Sequence, residues 1–341
     1  MNPPLKAGLV GAITFLAAGT AFAQFVGGWG SGGRNNDTTV RDHTVYTESQ
    51  LPGGEIPVDE DTVRTAREVA PHSTESMNWT NSYGFEKDVW SFARIKYQYN
   101  HHYKKTSPGD QAPPVSWTSS PWGWITDYPD SDLNLSYRVQ QMTSIKVDPD
   151  GRTLFLGDPE LFDYPWIYMV EVGRLQLRDE EVPILRKYLL NGGLLMVDDF
   201  WGKKQWDNFA YQMKRVFPEN EFVDLTMDHP IFHSVFDLKV PLNKLQTPNS
   251  GLGKSSLLPG NPAFGLTWES YHDDYDPFGA KDMHVRALFD DKKHIMVIAT
   301  HNCDNGDGWE KEGEDDLFFH EYSEKRAFPL GINIIFYTMT H

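Results

Sequence analysis

Two adjacent aspartates, Asp198 and Asp199, close the apolar run Leu194-Leu195-Met196-Val197 and are followed by Phe200, Trp201 and Gly202. Glu171 closes a second apolar run, Trp166 to Val170. A carboxylate at the end of a buried strand is costly unless a donor, a cation or a ligand meets it. Neighbours in a turn project differently, so one aspartate can be satisfied by the fold while the next faces a cleft with Trp201. The segment Thr126-Asp127-Tyr128-Pro129-Asp130-Ser131-Asp132 adds Asp127 and Tyr128 at the mouth of a helix, where a loop over the same cleft would hold them. The run from His301 to Glu310 supplies His301, Asn302, Asp304, Asp307 and Trp309. Such oxygen-rich groups suit a cation, a sugar hydroxyl or a protonated ligand, and Trp309 among them suits stacking on a sugar ring as readily as packing against the protein. Their spacing is not that of an EF-hand loop. Carboxylate pairs whose pKa values are held apart also serve hydrolysis of glycan-like substrates.

Other chemistry is poorly supported. Cys303 is the one cysteine of the chain, which excludes an internal disulfide and a thiolate zinc site. A catalytic Cys303 would need an orienting base, and none is evident beside it. His229 and His233 have helical i, i+4 spacing, but Pro230 lies between them, and they are read as structural. No motif requires a cofactor, and a divalent cation is the one ligand of that kind the acidic groups would suit. The net charge of -17 opposes nucleic-acid binding, which needs a cationic surface.

These groups need elements to position them. Ala93, Ile95, Tyr97 and Tyr99 alternate with Arg94, Lys96 and Gln98, the period of a half-buried strand. A helix capped by Asp130 or Ser131 would carry Leu135, Val139 and Met142 on one face, with Arg138 as a structural counter-ion. Asp179 to Leu190 reads as a helix that ends at Asn191-Gly192-Gly193, followed at once by the strand ending in Asp198 and Asp199. Trp206, Phe209, Met213 and Val216 mark another helix. A Pro/Gly/Asn-rich insertion spans about 241–262, and the runs from His284 and His294 flank a turn as a late β-hairpin. The segment from Phe328 closes the chain as a buried helix. Strand-helix alternation with short links implies a mostly parallel sheet in a three-layer α/β sandwich.

At the N-terminus, Lys6, the apolar run Ala7 to Ala18 and Ala21-Phe22-Ala23 have the pattern of a secretory signal, residues 1–23, cleaved after Ala23. Residues 24–89 read as a flexible polar leader, with Asp59 to Ala70 a solvated linker, and residues 90–341 as one domain. The expected location is periplasmic or secreted, with no transmembrane helix in the mature chain.

The runs FARIKY, TDYPDSDLNLSYR, FDYPWIYMVE, YLLNGGLLMVDDFWG, DHPIF, HNCDNGDGWE and FPLGINIIFY resemble a bacterial family, domain-of-unknown-function family 4159, over about residues 90–341. The resemblance implies a flavodoxin-like fold of the class I glutamine amidotransferase type, some of whose relatives are fused to membrane-anchored domains. It also implies that the turn Asp198 to Gly202 occupies the place of the amidotransferase nucleophile. That turn has no Cys or Ser, and the run before Phe328 lacks a His-x-Glu base, so glutaminase chemistry is not expected. The expected role is binding of a ligand or partner, such as a polar small molecule, a glycan or a cell-envelope protein, in an acidic and aromatic cleft. The alternatives are a carboxylate-based, metal-assisted hydrolase and a scaffold of an envelope complex.

Overall fold

The computed structural model describes residues 45–46, 58–59, 61–71, 77–82, 84, 88–97, 123–269 and 279–341. The expected signal sequence, most of the leader and the stretch containing Tyr99 lie outside the described residues. A two-residue antiparallel pair, β1 (Val45–Tyr46) and β2 (Val58–Asp59), precedes the main sheet. That sheet is built from β3 (Ala93–Lys96), β4 (Arg152–Phe155), β5 (Trp166–Val170), β6 (Leu194–Asp198), β7 (Val223–Asp224), β8 (His284–Phe289) and β9 (Ile295–His301). Their spatial order is β4-β3-β5-β6-β9-β8-β7. The first five are parallel, and β8 and β7 extend the edge antiparallel. Counted alone, the parallel strands run in the order 2-1-3-4-5, which is the flavodoxin-like arrangement. The antiparallel β8–β9 pair is the late hairpin expected from sequence.

The helices are α1 (Asp130–Met142), α2 (Glu181–Leu190), α3 (Gly202–Val216), α4 (Ser250–Ser256), α5 (Asn305–Glu310), α6 (Asp316–Phe318) and α7 (Phe328–Thr340). Leu185 and Leu189 of α2 and Phe209, Met213 and Val216 of α3 pack with Ile95, Ile167, Leu195 and Val197 on one face of the sheet. Leu135 and Val139 of α1 and Leu330, Ile332 and Ile335 of α7 pack with Trp166, Tyr168, Met196 and Ile298 on the other. Two apolar layers around one sheet make the three-layer sandwich. Gly192, at φ +93°, ends α2 in a conformation that L side chains rarely adopt. None of the described helices is long and apolar enough to cross a membrane.

Three local expectations are corrected. All of β3 is buried, Arg94 and Lys96 included, because a central parallel strand is covered on both faces. In α1, Asp130 is already helical, no side chain caps the start, and Met142 is exposed. The stretch from Asp59 to Ala70 is not a solvated linker. Val63, Ala66 and Val69 are buried, the amide of Thr153 donates to the Arg64 carbonyl, and Lys96 donates to that of Val63.

Candidate functional site

The carboxyl ends of β3, β5, β6 and β9 converge where flavodoxin-like sheets hold their ligands, beside the point at which strand order reverses. The sequence places Glu171, Asp199 and Asp304 at or just past the ends of β5, β6 and β9, and Asp127 in the loop that leads into α1. Asp127, Glu171, Asp199 and Asn302 all have positive φ, between 53° and 61°. This conformation costs a non-glycine residue energy that the surrounding structure must offset.

Asp198 is wholly buried and belongs to the fold. Its carboxylate accepts from the Thr300 hydroxyl, the Asn305 amide at 2.7 Å, the Asn305 side chain at 2.8 Å and the Gly306 amide at 3.0 Å. Burial pushes its carboxyl up to about 6, although these donors oppose the shift. An asparagine would turn donors toward donors at this position. Asp198→Asn is therefore expected to lower stability by about 1–3 kcal/mol in chemical denaturation. Asp199→Asn is expected to change it little, since Asp199 is half-buried and accepts chiefly from the Trp201 indole at 2.8 Å. Equal destabilisation by the two substitutions would contradict this division of labour.

Beyond Asp198 lies a carboxylate cluster. Ligand atoms of Asp127, Asp304 and Asp307 lie within 4.8 Å of one another, and so do those of Asp199, Glu269 and Asp304. Asp304 belongs to both sets. Asp304 also caps α5, accepting from the Asp307 amide at 2.8 Å. The adjacent amides of Asn249 and Ser250 hold Glu269 and Asp307 respectively. Glu171 accepts from the Gly123 amide at 3.2 Å and borders Asp199.

Asp127 is 7% exposed, and its buried Oδ2 has no hydrogen-bond partner among the described residues. That oxygen lies over Gly306, where an added Cβ would stand 2.0 Å from it, so the approach requires glycine. The loop bearing Asp127 is anchored by Arg94. Its guanidinium donates to Asp132, at 3.0 and 2.5 Å, to Ser131 at 2.8 Å, and to the carbonyls of Trp124 and Thr126 at 2.8 and 2.9 Å. Every N–H group of Arg94 is thereby engaged.

Burial and neighbouring carboxylates hold Asp127, Asp199 and Asp304 well above the usual carboxylate range. Glu310 is pushed up to about 8 by burial and then by Asp307, against the pull of Lys311 at 2.8 Å. Without a cation, the folded chain then binds protons at pH values where the unfolded chain has released them. Stability is present at acidic pH and is lost as pH rises from about 4 through the raised values. Chelator-treated protein is expected to melt at a higher temperature at about pH 5 than at about pH 8. A melting temperature that rises over this interval would contradict it.

Several expected site residues lie elsewhere. Tyr128 turns into the opposite core and donates to the Thr65 carbonyl at 2.7 Å. Trp309 is wholly buried and donates to the Ala327 carbonyl, so it presents no face to a sugar. Helix α5 carries it inward, where a polar loop was expected. His301 packs on Phe200 and Trp206, with Arg286 at 3.1 Å, and burial holds it well below the usual histidine range. The Asn302 side chain ties Gly202 to the carbonyls of Gly279 and Asp282. Cys303 is wholly buried, and burial pushes its thiol well up, which opposes a nucleophilic role. Arg138 is a structural counter-ion, as expected, paired with Glu312. Sequence reasoning missed the roles of Arg94 and Glu269, and it read Asp132 only as part of a turn at the helix mouth.

The sequence profile of a domain of unknown function, DUF4159, matches residues 117–339. A search of curated proteins found no match.

Proposed function

We propose that this chain, which belongs to the DUF4159 family, binds a hard divalent cation in the carboxylate cluster at the carboxyl edge of its sheet. The observation that carries this reading is the Asp127 Oδ2, buried with no hydrogen-bond partner among the described residues, on a carboxylate that groups with Asp304 and Asp307. A buried carboxylate oxygen without a donor is unfavourable in an isolated fold and is satisfied at once by a metal ion. The donor set contains only carboxylate oxygens, which suit calcium, magnesium or manganese rather than softer metals. A bound cation would lower the raised carboxyl groups and displace their protons.

Thermal melts of chelator-treated protein with calcium, magnesium or manganese chloride test the proposal. At least one salt at about 1 mM is expected to raise the melting temperature at neutral pH by several degrees, as stabilisation by a native-state ligand requires. No shift with any of the three would sink it. Metal-assisted hydrolysis is the catalytic extension of this function. It is favoured by Asp199 and Glu171, which are only half-buried, so that a cation beside them would keep a face toward solvent. Export and an envelope setting are compatible with the proposal and are not needed for it.

A further inference from the structure

We infer that the cluster takes two divalent cations, with the Asp304 carboxylate shared between them; this rests on the cation-binding function proposed above. The two triads are distinct apart from Asp304, one completed by Asp127 and Asp307 and the other by Asp199 and Glu269. A carboxylate has two oxygens and bridges metal ions readily, the arrangement found in two-metal centres about 3.5–4 Å apart.

The spacing of the triads is built into one turn. Asn249 and Ser250 are neighbours in the chain, and their amides hold Glu269 of one triad and Asp307 of the other. The Asp199 amide donates to the Cys303 carbonyl at 3.0 Å, and the Asp304 amide to that of Thr247 at 2.8 Å. Both triads are therefore tied to the same short stretch of backbone.

Charge balance points the same way. Asp127, Asp199, Glu269, Asp304 and Asp307 carry five negative charges when ionised, and one divalent cation balances two of them. The neighbouring Arg94 is engaged by Asp132, and Lys311 by Glu310. Two cations reduce the imbalance to a single charge. Among the described residues no donor meets the buried Asp127 Oδ2, which a cation at the first triad would satisfy.

The test uses manganese chloride with the full chain at neutral pH, counting bound metal by equilibrium dialysis and following the electron paramagnetic resonance of the loaded protein. Two manganese ions per chain and an exchange-coupled spectrum are expected. Glu269→Gln and Asp127→Asn should each leave one ion and an uncoupled spectrum. If Glu269→Gln does not fold, Asp199→Asn interrogates the same triad. One ion in the wild type, with an uncoupled spectrum, would overturn the shared centre while leaving cation binding intact. No bound ion would remove both.

Discussion

Asp304→Asn is expected to abolish cation binding and to leave the cation-free domain at least as stable as wild type. Asp304 is the acid common to both triads, so its loss removes a charged ligand from every cation position in the cluster. Carboxylate count is a principal determinant of affinity for hard cations, and the expected loss is on the order of 100-fold or more. Folding should survive because asparagine is as good a helix cap as aspartate. Its side-chain oxygen can still accept from the Asp307 amide that Asp304 binds at 2.8 Å. Removing one of several mutually repelling buried carboxylates relieves the cation-free state, so the substitution should also flatten the fall of stability with rising pH. Melts with and without manganese, compared with wild type, supply the check. A variant that keeps its full cation response would place the cation elsewhere.

Arg94→Met is expected to destabilise the domain by about 3–5 kcal/mol, the range for breaking one partner out of a buried ion pair. Asp132 would remain buried without its cation, and the carbonyls of Trp124 and Thr126 would lose their donor. Those carbonyls lie immediately before Asp127 in the chain, so cation affinity should fall as well, although Arg94 is a positioning residue that touches no cation. The double variant Arg94→Met, Asp132→Leu separates the two effects. Replacing both charges by apolar groups should restore much of the stability, but the Asp127 loop stays unanchored and affinity stays low. Chemical denaturation and manganese titration of the three chains decide it. Recovery of affinity together with stability would show that Arg94 acts on the fold alone.

The fold was legible where its signals are local. The run Trp166 to Val170, the glycines after Leu190 and the apolar face of Trp206 to Val216 each lie within a few residues of one another, and each element formed as expected. Arg94 and Lys96 were misread because alternation in β3 looks like a solvent-facing strand, whereas their partners Asp132 and Val63 are far away in sequence. The stretch from Asp59 to Ala70 was misread because three scattered apolar side chains, Val63, Ala66 and Val69, suffice to dock it. In the site, Asp127, Asp199, Asp304 and Asp307 were visible as acids at strand ends and in an oxygen-rich run. Glu269 was not, since it reaches the cluster through a non-local bond to the Asn249 amide. Composition left Trp309 equally able to stack on a sugar or to pack in the core, and it grouped His301 with the polar loop residues. The period of α5 and the last residue of β9 turn them inward instead.

The most direct measurement is calorimetric titration of manganese into chelator-treated wild-type protein, repeated from about pH 8 down to about pH 5. Saturable binding that releases protons and weakens as the pH falls is the expected result, because protons and cations compete for the same buried carboxylates. The absence of saturable binding across that range, or binding indifferent to pH, would contradict a cation centre built on Asp127, Asp199, Glu269, Asp304 and Asp307.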